Sequence, residues 1–239
     1  MKTSTMLILT ALLIILGSLA AFNYTIKAAY LTGAYKNRFK EMDFTAFIAV
    51  EKLNLQTEKL SSIQIEYGDK EGIWISKNIK DLVKFDVKGN VLNLSTSETG
   101  KRIGSQRVNG MITIVTKKLN AITTTPYYIL KKDESYWPGT SEISLKGYHL
   151  GQLDLQIASF VDVSLNQMDI QTLNATVGTK TSRGSELTLS EDTKINNATL
   201  NVPGESKLNL LDPKIVKTNY LLSDSATVSL NGKVVQMIK

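Results

Sequence analysis

The sequence predicts an all-β fold, a parallel β-helix (solenoid), preceded by one N-terminal transmembrane helix. Three observations carry this. A long uncharged apolar stretch lies near the N-terminus. From Phe44 onward, apolar residues alternate with polar ones at period two. In the C-terminal half, similar segments recur at offsets of 20 to 23 residues.

The uncharged stretch runs for 24 residues, from Thr3 to Ile26, with a 17-residue apolar core from Met6 to Phe22. A membrane-spanning helix needs about 20 residues. A secretory signal peptide has an apolar core of about 7–15 residues and a small-x-small cleavage site. Ser18 and Ala20 fit such a site, but the length favours an uncleaved anchor. The expected organisation is an anchor or signal peptide over 1–27, a juxtamembrane linker over 28–43 and a β domain over 44–239. Residues 6–26 are the expected membrane contact. Lys27, Lys36, Arg38 and Lys40 follow the stretch, against Lys2 before it. A plain positive-inside count would place the rest of the chain in the cytoplasm. The layout of a short leader followed by a cysteine-free β domain favours export, with the basic residues lying against anionic headgroups.

The strands follow in order. Leu53-x-Leu55, Ile63-x-Ile65-x-Tyr67, Ile73-x-Ile75, Phe85-x-Val87 and Leu92-x-Leu94 alternate with polar residues. So do Ile112-x-Ile114, Ile143-x-Leu145, Leu153-x-Leu155-x-Ile157 and Val161-x-Val163-x-Leu165. Such alternation marks half-buried strands. Ile79 to Phe85 reads equally as a short helix or the start of a strand. Leu187-x-Leu189 recurs 21 residues on as Leu208-x-Leu210, and 20 further on as Val228-x-Leu230. Short strands at a fixed offset predict stacked coils, about nine over residues 44–232 at ~21 residues each. An all-β sandwich gives the same alternation and is the alternative.

Composition removes several classes of function. The chain has 239 residues and no cysteine, which excludes disulfides, thiolate zinc sites and cysteine nucleophiles. A single histidine, His149, excludes a multi-histidine metal site. The net charge is +6, but residues 1–40 contribute +5 and the remainder only +1. No basic domain remains for nucleic acid, and Lys117-Lys118 and Lys131-Lys132 are isolated pairs. Gly100 to Arg107 is basic but lacks the spacing of a phosphate loop.

The chain opens with an apolar helix and a Lys/Arg/Tyr linker, and Phe47-Ile48-Ala49-Val50 then starts the run of strands. Leu92-Asn93-Leu94, Ile112 to Ile122 and a final Asp224 to Gly232 segment follow. This order resembles the auto-transporter adhesin head domain, also called the GIN domain, of Bacteroidetes-type bacteria. The resemblance covers most of residues 44–232. It implies an exported, single-stranded right-handed parallel β-helix and brings no catalytic residues. The Gly/Ser turns of that family are largely missing; Arg183-Gly184-Ser185 is the nearest.

The expected function is therefore a membrane-anchored, exported, non-catalytic binding or adhesin-like module, with no cofactor and no metal. The expected location is the inner membrane, single-pass, with the C-terminal domain in the periplasm. Secretion or surface display after cleavage is the alternative. Tyr127, Tyr128, Tyr136 and Trp137 cluster around Pro126 and Pro138-Gly139 and form the candidate binding patch, since aromatics can stack on sugars or partners. Expected partners are a glycan or an envelope protein, or a second copy through the ends of the fold. A carbohydrate-active enzyme would need acids converging from neighbouring strands, with Asp154, Asp162 and Asp169 as candidates. A structural or regulatory envelope protein is the third reading.

Overall fold

The computed structural model describes residues 3–33, 36–56, 60–102, 108–125, 140–181 and 183–231. The chain forms two compact units, residues 1–41 and residues 42–239.

The first unit is dominated by α1 (Thr3–Leu31), a 29-residue helix. Leu, Ile and Ala occupy every side of it, so it has no polar face to turn to water. At 1.5 Å per residue it is about 44 Å long, more than the ~30 Å hydrocarbon core of a bilayer. It continues past residue 26 because Lys27, Ala28 and Ala29 are good helix formers. Its length and composition fit a signal anchor or a signal peptide.

The second unit is built from strands. β1 (Met42–Ala46), β2 (Lys52–Gln56), β3 (Leu60–Tyr67) and β4 (Gly72–Ser76) precede a short 3-10 helix, Lys77–Leu82. β5 (Val83–Lys88) and β6 (Val91–Thr96) follow, then the five-residue helix α2 (Glu98–Arg102), β7 (Val108–Thr116) and β8 (Ala121–Thr125). The remaining strands are β9 (Ser141–Lys146), β10 (His149–Ile157), β11 (Val161–Asn166), β12 (Asp169–Val177) and β13 (Arg183–Leu189). β14 (Lys194–Val202), β15 (Glu205–Leu210), β16 (Lys214–Leu222) and β17 (Thr227–Leu230) complete them. They form a nine-stranded sheet, ordered β1-β4-β7-β3-β9-β11-β13-β15-β17, and an eight-stranded sheet, ordered β16-β14-β12-β10-β8-β2-β6-β5.

This corrects the expected fold class. Among the described residues no single-stranded right-handed parallel β-helix is formed; the strands build two large mixed sheets, a sandwich-type all-β fold. β1, β4 and β7 pair antiparallel, as do β5 and β6. β3 lies beside β9, and β2 beside β8, far out of chain order. The hairpin explains part of the error. Lys88 pairs with Val91, so only Gly89-Asn90 links β5 to β6, with Gly89 at φ +61°. A two-residue loop joins antiparallel neighbours, whereas parallel strands need a long crossover. The repeat offsets report in-register pairing inside one sheet: Leu187, Leu208 and Val228 are successive partners across β13, β15 and β17. Period-two alternation says only that each strand buries one face, which both folds require. Phe47 to Val50 is no strand either: Ala49 sits at φ +57° and Ile48 is exposed. The segment from Ile79 to Phe85 is half 3-10 helix and half strand.

Both sheets contribute inward side chains to a single aliphatic core. In the nine-stranded sheet, Ile73, Ile114, Ile65, Leu145, Leu165, Leu189 and Leu210 form one transverse file, each in register with the next. Ile75, Ile112, Ile63, Ile143, Val163, Leu187 and Leu208 form a second. Opposite them, Leu92, Leu53, Ile122, Leu155, Ala175 and Leu200 run across the eight-stranded sheet. All are buried, at about 1.5–3 kcal/mol for each large aliphatic side chain removed from water. Among the described residues Tyr148 is the one large buried side chain with a hydroxyl, and that hydroxyl meets Thr116 Oγ1 at 2.8 Å. Burial pushes its phenol well above the ordinary range and keeps it neutral, with the Thr116 hydrogen bond opposing the shift.

Candidate functional site

The outward faces of the two sheets differ in how their polar side chains are used. On the eight-stranded sheet they bond to one another. Asn54 donates to Asn93 at 2.9 Å, Asn93 to Asp86 at 3.4 Å and Asn174 to Asp154 at 2.8 Å. Asn90 and Asn120 both donate to Glu51 Oε2 at 3.2 Å. Such ladders satisfy the amides and leave little for a ligand.

The nine-stranded sheet carries an open groove of about 360 Å³ on its outward face. Strand register builds it. Gln64, Ser144, Ser164 and Thr188 are successive partners on β3, β9, β11 and β13. Stacked strands lie ~4.8 Å apart, so these four side chains form rungs over about 14 Å. Two residues earlier on each strand lie Ser62, Glu142, Asp162 and Glu186, again in register. Three carboxylates therefore stand on three adjacent strands, an arrangement that costs stability through like-charge repulsion. Glu186 is neutralised: Lys207 Nζ lies 3.2 Å from its Oε2, and Thr188 and Asn209 donate to its Oε1 at 3.1 and 3.3 Å. The side chains of Glu142 and Gln64 have no hydrogen-bond or ion-pair partner among the described residues, and Glu142 is exposed. Asn166 donates to Ser144 and to Ser164, both at 3.2 Å, leaving the two hydroxyl protons to point into the groove or to water. No lysine or arginine lines the groove among the described residues.

The row of Gln64 continues in register through Thr113 to Trp74 and Phe44. These two rings are 4.6 Å apart, and Lys70 Nζ lies over both, at 4.2 Å from Phe44 and 4.9 Å from Trp74. The cation covers aromatic surface that would otherwise be open to a ligand.

The residues singled out by sequence are placed as follows. Tyr127, Tyr128, Tyr136 and Trp137 lie outside the described residues, as do Lys131 and Lys132. His149 opens β10 and is exposed, with Nδ1 3.7 Å from Asp169 Oδ2. Asp154, Asp162 and Asp169 do not converge. Asp162 is on the nine-stranded sheet and the other two are on the eight-stranded one, where Asp154 pairs with Asn174 and Asp169 with His149. Of the three only Asp162 lines the groove, and its neighbours there are Glu142 and Glu186. A repeated signal could have found them. Glu142-Ile143-Ser144-Leu145, Asp162-Val163-Ser164-Leu165 and Glu186-Leu187-Thr188-Leu189 share an acid-aliphatic-hydroxyl-leucine pattern, 20 and 24 residues apart. Among the described residues no cluster of His, Cys, Asp and Glu could hold a metal ion.

Fold and site together define a class: a two-sheet all-β domain with one internally bonded face and one grooved polar face. No family model matches the chain, and no curated protein matches it. Solved structures do. A candidate adhesin of Parabacteroides distasonis matches with a TM-score of 0.53 at 10% identity, over 79% of this chain and 75% of that one. A candidate adhesin of Bacteroides fragilis matches with a TM-score of 0.47 at 17% identity, over 79% of this chain and 95% of that one. A candidate lipid-binding protein of P. distasonis matches with a TM-score of 0.39 at 13% identity, over 79% and 96%. The first of these supports the fold; the other two are weaker likenesses.

Proposed function

We propose that this chain is a membrane-anchored, exported, non-catalytic binding module of the bacterial envelope, related to the adhesin heads of the GIN group. Its ligand face is the groove on the nine-stranded sheet. The observation that carries the reading is the contrast between the faces: one pairs its amides internally, the other keeps Gln64 and Glu142 without a partner among the described residues, beside stacked carboxylates. α1 supplies the anchor, and the domain stands in the periplasm or, after cleavage near Ser18 and Ala20, outside the cell. The description of the neighbouring structures as candidate adhesins supports a binding role.

Cell retention tests this. Spheroplasts carrying the full chain, stripped of their outer envelope, are settled on glycoprotein-coated surfaces and washed. An indole at position 164 fills much of a 360 Å³ groove, so Ser164→Trp should reduce retention about ten-fold or more at equal protein level. Equal retention of the variant would overturn the groove as the binding face.

A second reading is a carbohydrate-active enzyme. It is favoured by Glu142 and Asp162 on neighbouring strands, whose ~4.8 Å backbone spacing is near the ~5–5.5 Å carboxyl separation of retaining glycosidases. Release of reducing ends from a polysaccharide panel, abolished by Asp162→Asn, would favour this reading over binding alone.

A further inference from the structure

The eight-stranded sheet ends on a strand that leaves the core open. β16 pairs with β14 and, among the described residues, with no other strand. Its register continues the inward file: Leu200 and Val202 are fully buried, but their partners Tyr220 and Leu222 are 43% and 45% exposed. Leu221, between them on the outer face, is 50% exposed. On the facing sheet, Val228 and Leu230 of β17 continue Leu208 and Leu210 and are only partly buried. We infer that this end of the domain docks against the same end of a second copy, with β16 antiparallel to its counterpart about a two-fold axis at Tyr220.

The edges at the other end are closed by charge. β5 carries Lys84, Asp86 and Lys88, with Lys88 Nζ 3.5 Å from Asp86 Oδ2. β1 is only five residues long, and its Asp43 is held by Lys80 at 2.7 Å. Charged side chains and short edge strands keep an edge from pairing. On β16, by contrast, the run from Thr218 to Ser223 holds no charged residue.

Backbone direction fixes the register. Ser223 donates its N–H to the Val202 carbonyl. Successive residues of a strand face opposite sides, so Thr218, Tyr220 and Leu222 turn their backbone groups to the open edge. An antiparallel partner must set such residues opposite one another. Alternation breaks at Val216 and Lys217, both exposed, so pairing is centred in the regular segment beyond them. Centred on Tyr220, it sets Thr218 against Leu222 of the second copy on the core side, and Asn219 against Leu221 on the outer side. The Tyr220 pair and the two Thr218–Leu222 pairs each exchange two backbone hydrogen bonds. No like charges are opposed: Lys217 falls opposite Ser223, one residue from Asp224. Nine residues at ~3.4 Å make the edge about 30 Å long. Two sheets ~10 Å apart, with their outer side chains, make it about 20 Å deep. The footprint is roughly 600 Å² on each copy, or about 1,200 Å² in all, which reaches the lower bound for a specific interface.

The chain has no cysteine, so single thiols report the pairing. Membranes holding the full chain are treated with a mild oxidant and resolved by non-reducing electrophoresis. Tyr220→Cys places two thiols on the axis, where opposed Cα atoms lie about 5.5 Å apart, within disulfide reach, and a covalent dimer should form. Val216→Cys is more exposed, but its two copies would stand about 27 Å apart along the strands, and it should give at least ten-fold less dimer. Leu222→Lys added to Tyr220→Cys should cut the dimer about ten-fold. Thr218→Asp added to both should restore it, because each lysine then faces the aspartate of the other copy. Equal cross-linking of Val216→Cys and Tyr220→Cys would mean random collision and overturn the interface. So would no dimer from Tyr220→Cys, or no rescue by Thr218→Asp. A Tyr220→Cys dimer that appears only when the chain is cut after Asn231 would overturn it too, since residues 232–239 of the same chain would then be the occupant of the edge. The edge shares no residue with the groove, so this dimer and the retention lost in Ser164→Trp are independent results.

Discussion

Replacing Leu165 by alanine is expected to lower the unfolding free energy by about 2–5 kcal/mol, measured by urea denaturation. Leu165 is fully buried and stands between Leu145 and Leu189 in the file that crosses the nine-stranded sheet. Truncation removes apolar contact and leaves a cavity. The neighbours cannot close it, because strand hydrogen bonding fixes their spacing at ~4.8 Å. The adjacent Ser164→Ala should change stability by less than about 0.5 kcal/mol, since its side chain faces outward. A large loss on Ser164→Ala with a small one on Leu165→Ala would reverse the assignment of inner and outer faces.

The second large effect is expected at Gly204. A methyl group there would clash with the carbonyl oxygen of Thr179, and would lie within 3.4 Å of the carbonyl carbons of Thr179 and Lys180. All three are backbone atoms, so no rotamer change relieves the clash. The turns before β13 and β15 would have to move apart, taking the register of Arg183 with Glu205 with them. Gly204→Ala should therefore cost about 1–3 kcal/mol, as overpacking does. Gly151→Ala is the contrasting case. Nothing lies within 4 Å of the added carbon and the backbone there is not left-handed. It should be neutral or stabilising by up to about 1 kcal/mol, because alanine restricts the unfolded chain. Thermal melts of both variants give the two signs directly; equal effects would contradict the packing of these turns.

The all-β class was legible because alternation follows from burial of one strand face. Leu153, Leu155 and Ile157, and Val161, Val163 and Leu165, are all buried as their spacing requires. α1 was legible because 24 uncharged residues have few other uses in water. What alternation does not encode is which strands are neighbours. The pairing of β3 with β9 brings together Ile63 and Ile143, separated by 80 residues, and no local pattern marks it. The Gly89-Asn90 hairpin carried its own signal, a two-residue loop between two alternating runs, and pointed away from stacked coils. The site was half legible. Asp162 was among the acids singled out, but a grouping by chain proximity with Asp154 and Asp169 put residues of different sheets together. Its companions are Glu142 and Glu186, found by the repeat and not by closeness in sequence.

The proposed binding role requires an outward-facing groove displayed beyond the cytoplasmic membrane, and the absence of cysteine allows a direct measurement. Glu142→Cys and Ile143→Cys each introduce a single thiol on β9, one exposed in the groove and one buried in the core. Intact spheroplasts are treated with a membrane-impermeant maleimide, and the full-length chain is then assayed for label. Rapid labelling of Glu142→Cys without lysis is expected, and none of Ile143→Cys. Labelling of Glu142→Cys only after lysis would place the domain in the cytoplasm, and equal labelling of both thiols would contradict the groove face itself.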